Sequence, residues 1–353
     1  MKKRLIALAL VLALTGGTVT ALAAGGSAED PLLSLSYLKN TLKPQLVQTV
    51  KNALYPASGS GRNAAAQITM DQVRYKEGDV LQASTGSEVI VLAGRVSVSF
   101  SGGAVIDATA GKETANGAAL AVNARYLVGE DTTARFTVTS PTAVISCNGA
   151  VSVTTSSTPD YNAMADALKS LSLLQGTGTG FGSGYDLEIQ PTRIEAVVMF
   201  IRLLGEENAA LASTAKHPFS DVPRWADRYV AYAYEKGYSN GVENNQFASA
   251  RVITAKEYVE FVMRALRYSS TAHTDLSTTL SDAKAAGLLT AREYDLLNTS
   301  TLLRAHLVYI SYYALSTPVA GSSTPLEQQL LSKGVFTQAA LHNAHASVKT
   351  ARL

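Results

Sequence analysis

Thr192-Arg193-Ile194-Glu195 and Thr254-Ala255-Lys256-Glu257 share one spacing: a threonine, then a glutamate three residues later, opening an apolar run. At a helix start the hydroxyl and the carboxylate can close two N–H groups that the helix itself leaves open. The first chemistry of Thr192, Glu195, Thr254 and Glu257 is therefore helix capping. Asp221, with Pro223 two residues on, fits another helix start.

Other chemistry-bearing residues form no convincing set. Ser36-x-x-Lys39 and Ser213-x-x-Lys216 lack the Ser-Asp-Asn and Lys-Thr-Gly strings that a serine acyl-transfer site of this kind needs. Of the five histidines, only His342 and His345 are close in sequence, with no carboxylate beside them, so no metal site is expected. Gly176, Gly178, Gly180, Gly182 and Gly184 have no following Lys-Ser/Thr and no preceding strand, so they read as a loop rather than a phosphate cradle. Cys147 is the only cysteine and reads as a small buried hydrophobe. No cofactor is implied, and the chain is expected not to be an enzyme.

The 353 residues are enough for two or three folded units. Forty-six per cent are hydrophobic and 16% charged, which excludes a wholly disordered chain. Lys2-Lys3-Arg4, an apolar run from Leu5 to Leu14 and Ala21-Leu22-Ala23 read as a signal peptide over 1–23. With those three cations removed, the formal charge drops from +2 to −1, and nothing points to nucleic acid.

The elements that must position the capping residues follow in sequence order. Residues 24–63 hold a helix near 44–54 and a Gly/Ser linker. Residues 64–157 form a small all-β module, with strands around Val89–Leu92, Val96–Phe100, Ala134–Val138 and Thr142–Ser146. Residues 158–317 are helical, and residues 318–353 a tail with one short helix around Leu326–Val335.

The helical segment repeats itself. Thr192, Glu195, Arg202 and Leu204 recur 62 residues later as Thr254, Glu257, Arg264 and Leu266. A third copy begins at Leu302-Leu303-Arg304-Ala305-His306, without the Thr and the Glu. Each copy reads as helix, Gly-containing loop, helix. Such a unit cannot bury its faces alone, so the copies must pack together.

Phe219-x-Asp221-Val222-x-x-Trp225-Ala226, Gly237-Tyr238-x-x-Gly241, Phe247 and the Thr-Arg-x-Glu helix resemble S-layer homology repeats. The resemblance implies three repeats, about 158–215, 216–270 and 271–317, in a three-pronged pseudo-threefold helical bundle. It also implies an exported protein at the bacterial cell wall or surface. Its partner would be secondary cell-wall polysaccharide on peptidoglycan, often pyruvylated, bound without a covalent link. Arg193 and Arg304 occupy the family's arginine position. A guanidinium there could grip a carboxylate with two parallel hydrogen bonds. Ala255 breaks that pattern in the second repeat, with Lys256 beside it, and Trp225 could offer a flat face to a sugar ring. These four residues, Arg193, Arg304, Trp225 and Lys256, are the polysaccharide-binding candidates. No membrane span is expected after signal cleavage. The alternative places ligand-binding, regulatory or hydrolytic activity in the β module, whose Gly78-Asp79-Val80-Leu81 resembles FecR-like modules, and leaves the repeats structural.

Overall fold

The computed structural model describes residues 70–176, 184–270 and 275–353. The expected signal peptide, N-terminal helix, linker and most of the glycine-rich loop lie outside the described residues.

Ten short strands come first: β1 (Gln72–Lys76), β2 (Val80–Ser84), β3 (Glu88–Ala93), β4 (Val96–Gly102), β5 (Val105–Asp107), β6 (Lys112–Thr114), β7 (Arg125–Val128), β8 (Thr132–Val138), β9 (Thr142–Asn148) and β10 (Val151–Thr154). One sheet runs β1-β9-β3-β7-β5-β6 and the other β10-β2-β8-β4, with antiparallel pairing throughout. The alternation in sequence is the alternation in space. On β8, Ala134, Phe136 and Val138 are buried while Thr133 and Arg135 are exposed. The inner faces of both sheets meet in one core containing Leu81, Val98 and Phe136 from one sheet and Val89, Val91 and Ile145 from the other. Cys147 lies on β9, half-buried, and burial pushes its thiol up, against a hydrogen bond from Tyr75 that lowers it. That favours the thiol over the nucleophilic thiolate.

The helices follow: α1 (Tyr161–Ser170), α2 (Arg193–Leu203), α3 (Glu207–Ala212), a 3-10 turn (Arg224–Ala226) leading into α4 (Asp227–Glu235), α5 (Ala255–Ala265), α6 (Thr279–Ala285), α7 (Ala291–Thr299), α8 (Arg304–Leu315), α9 (Leu326–Ser332) and α10 (Gln338–Ser347). An antiparallel β region followed by a helical region is the expected fold class at its coarser level. α2 and α8 are apolar almost all round, as interior helices are. With α5 they contribute Phe200, Ile201, Tyr258, Val259, Leu307 and Val308 to one continuous core.

The β region and the helices do not behave as beads on a string. Asn162 on α1 donates to the Tyr75 carbonyl at 3.2 Å. Arg74 donates to Asp166 at 2.8 Å and lies over the Tyr185 ring, whose hydroxyl also donates to Asp166. Residues 70–353 accordingly fall within one compact unit.

The end of the chain differs from the loose tail that its composition suggests. It carries two helices, α9 and α10, which start 47 residues after α6 and α7 respectively. Gly287 and Gly334 take the same left-handed turn between the members of each pair, at φ +78° and +72°. Arg352 donates to both oxygens of Glu293 and to the Leu288 carbonyl, tying the last residues to α7.

Candidate functional site

Both capping boxes form. The Thr192 N–H donates to Glu195 at 2.7 Å and the Glu195 N–H to the Thr192 hydroxyl at 3.4 Å. The corresponding distances for Thr254 and Glu257 are 3.0 and 3.3 Å. A third box, Thr290 with Glu293, opens α7; sequence reading passed over it although the same four-residue signal is present. At α8, where Thr and Glu are missing, His306 accepts from the Leu303 N–H through Nδ1 at 3.1 Å and supplies half of a box.

Asp221 does not cap a helix. The helix starts later, at the Arg224 turn, and Asp221 instead accepts from the Phe247 N–H at 2.7 Å and the Ser249 N–H at 3.0 Å. It fastens the returning loop to the start of the repeat. Burial works to raise its pKa, but these N–H donors outweigh it and hold the carboxyl below its ordinary range.

The structure brings the two candidate arginines to the capping glutamates of neighbouring helices. Arg193 on α2 donates to Glu257 of α5 at 2.7 Å and to the Ser239 hydroxyl at 3.0 Å. Its guanidinium lies between the Phe247 and Phe261 rings, 5.1 and 5.3 Å from their centroids. Arg251 binds the same Glu257 from the solvent side. Arg304 on α8 donates to the Tyr185 carbonyl and pairs with Glu195 of α2 at 3.3 Å. Both arginines are only 5% exposed. The expected carboxylate grip is thus already made, and the carboxylates are the protein's own.

The backbone repeats the pattern. Arg193 and Ile194 donate their N–H groups to Arg251 and Ser249, three and five residues before Thr254. Arg304 and Ala305 donate to Ile189 and Leu187, three and five residues before Thr192. Two helix-to-helix edges therefore use one register.

Two concavities flank these edges. The first, about 240 Å³, is lined by Arg193, Asn240, Gly241, Glu257, Glu260 and Arg264 among others. The second, about 490 Å³, lies at the start of α5 and includes Lys256, Gln190, Val252, Asn298 and Ser300. Trp225 lines neither; it is 61% exposed on the 3-10 turn, free of the core. Arg202 and Arg264 make structural pairs with Glu207 and Glu260. His345 meets a carboxylate that sequence distance hid, Glu327 at 2.9 Å. Among the described residues no three metal-ligating side chains converge.

His306 is 3% exposed, and burial pushes its pKa down to about 4, against a backbone hydrogen bond that raises it. A histidine held neutral in the fold and protonated in the unfolded chain lowers stability on acidification, starting near pH 6.5 and ending near pH 4. The expected loss across that window is about 3 kcal/mol. His306→Gln keeps an acceptor at the cap and should flatten this part of the curve. Chemical unfolding at pH 7, 6, 5 and 4 checks it, and parallel curves for both proteins would refute it.

Residues 218–254 match the S-layer homology domain. They include Trp225, Asp221 and the Asn240-Gly241 wall of the smaller concavity. A cell surface protein of Thermoanaerobacter kivui is 26% identical over 204 residues, 55% of this chain and 26% of that protein. An endoglucanase of Bacillus sp. (strain KSM-635) is 36% identical over 77 residues, 22% of this chain and 8% of that protein. The chain thus spans about a quarter or less of the length of these relatives. The matched motif and the repeated helix starts around it identify this chain as a protein containing an S-layer homology domain.

Proposed function

We propose that the protein is an exported, non-enzymatic component of the bacterial envelope. Its helical region binds secondary cell-wall polysaccharide without a covalent link and holds the β module at the cell surface. The observation that carries this reading is the S-layer homology match over 218–254, which supplies one wall of a groove between helices. Similarity to a cell surface protein over 55% of the chain supports the location. Three repeats around a pseudo-threefold axis belong to the same reading. The shared register of the α2–α5 and α8–α2 edges supports that arrangement.

The test is co-sedimentation of the full mature chain with purified sacculi, before and after chemical removal of the secondary polymer. A fragment ending near 317 is the wrong reagent, because it would discard Arg352 and leave buried Glu293 without its guanidinium. Binding that disappears with the polymer is the expected result. A chain that stays in the supernatant with intact sacculi overturns the anchor reading. Turnover of wall fragments by the same preparation would overturn the non-enzymatic one.

A further inference from the structure

Among the described residues the two sheets have four edge strands, β1 and β6 in one and β4 and β10 in the other. An edge offers unpaired backbone groups to any other chain, and proteins guard it with charge, proline or a cover. Residues 117–120 cover β4: Val98 donates to Ala118, Gly117 to Val98 and Leu120 to Val96. The Asn116 side chain bonds both backbone groups of Phe100 on the same strand. β1 carries Arg74 and Lys76 and meets α1, where Asn162 takes up the Tyr75 carbonyl. β6 carries Lys112 and Glu113. β10 reads Val151-Ser152-Val153-Thr154, with no charge, no proline and β2 as its strand partner on one side.

The register of β10 decides which of its groups are free. The Ser84 N–H donates to the Ala150 carbonyl, so Ala150, Ser152 and Thr154 turn their backbone groups to β2. The N–H and C=O groups of Val151 and Val153 therefore point away from β2, to the open side. The side chains of these valines point inward, opposite Ala83 and Leu81 of the core. Val153 is nonetheless 44% exposed, because among the described residues no strand lies beyond it.

We propose that β10 pairs with the β10 of a second copy, antiparallel about a two-fold axis through Ser152. The strand is complementary to itself in that arrangement. Val151 of one copy falls opposite Val153 of the other, and each such pair can exchange both its N–H···O bonds. The same pairs set β-branched side chains together at the rim of the core, a favourable cross-strand contact. Ser152 meets its counterpart on the solvent face, and β10 carries no charge to repel. A strand of another protein would need its own apolar alternation to fill that rim; a second copy already has it. A strand of 4 residues buries far less than the ~1,000 Å² expected of a stable interface. The pairing is thus weak in dilute solution and gains where copies are held close together on one surface. It goes beyond wall attachment and does not depend on it.

The test is disulfide trapping in the full mature chain at high protein concentration. A non-hydrogen-bonded antiparallel pair holds its Cα atoms ~4.5 Å apart, within the ~4.4–6.8 Å that a disulfide spans. Ser152→Cys should therefore give a covalent dimer under mild oxidation. Thr154→Cys, also exposed, would lie ~14 Å from its counterpart and should cross-link at least about tenfold more slowly. Native Cys147 stays in place, and peptide mapping assigns the linked residues. Val153→Lys on the Ser152→Cys background sets a charge on the pairing edge and should slow trapping by a similar factor. Equal rates at positions 152 and 154 would mark random collision and overturn the pairing, as would trapping that survives Val153→Lys. If Val153→Lys misfolds, the comparison of the two cysteine positions still decides. None of these readouts uses sacculi, so failure of the pairing and failure of wall binding are seen separately.

Discussion

Glu257→Ala should cost about 3–5 kcal/mol of stability, the range for breaking a buried ion pair from one side. Glu257 closes the α5 cap, pairs with Arg193 and pairs with Arg251. Its removal leaves the Arg193 charge buried between two aromatic rings with only Ser239 as a polar partner. Glu257→Gln, which keeps the cap geometry, should cost less. Burial acts to raise the Glu257 pKa, but Arg251, the Thr254 N–H and Arg193 prevail and hold it below its ordinary 4.5. The sign follows: the contribution is fully present above about pH 4.5 and is lost as the pH falls below it. Urea unfolding at pH 7 and pH 4 measures both effects. A loss under about 1 kcal/mol at pH 7 would mean that the Arg193 guanidinium reaches solvent once the carboxylate is gone, and would refute its role as a buried pin.

Gly241→Ala should be the most damaging single-methyl change in the matched segment, at about 2–4 kcal/mol. Gly241 has φ +75°, which side-chain-bearing residues adopt at a cost. A Cβ there would also stand 2.2 Å from a Phe219 ring carbon and 2.7 Å from the Gln246 carbonyl oxygen. Neither neighbour can yield easily. Phe219 stacks with His217 and packs against Tyr234 and Phe247, and the Gln246 carbonyl accepts the Val242 N–H. Thermal unfolding should shift down by on the order of 10 °C. Gly287→Ala is the matched control: its φ is +78°, but nothing lies within 4 Å of the added methyl. Equal losses at the two positions would show that backbone conformation alone is responsible.

Much of this was legible in the residues. The Thr-x-x-Glu boxes are local, involving four consecutive residues, and form where the spacing places them. The strands with clear apolar alternation also lie where expected, whereas β5 and β6, at three residues each, are too short to show a period. What could not be read was long-range pairing. Arg193 and Glu257 are 64 residues apart, and Arg304 and Glu195 belong to different copies, so their mutual neutralisation appears only when the helices pack. Asp221 departs from its expected capping role for the same reason: the donors that claim it, at Phe247 and Ser249, follow 26 and 28 residues later. The Thr290–Glu293 box and the recurrence of α6–α7 in α9–α10 were visible in principle. The short loop before α7 disguised both.

The chain has a single tryptophan, and the fold leaves it in solvent on the 3-10 turn. Intrinsic emission excited at the red edge of the protein spectrum therefore reports one surface point and carries almost no information about the cores. The free protein should fluoresce at long wavelength and be quenched readily by iodide or acrylamide, changing little on unfolding. A ligand confined to the concavity beside Lys256, whose lining excludes Trp225, leaves that signal alone. A polymer long enough to run across the Trp225 turn shifts it to the blue and shields it from quencher. Oligosaccharides of increasing length would thus read out the footprint of the polymer along the surface, with no label attached.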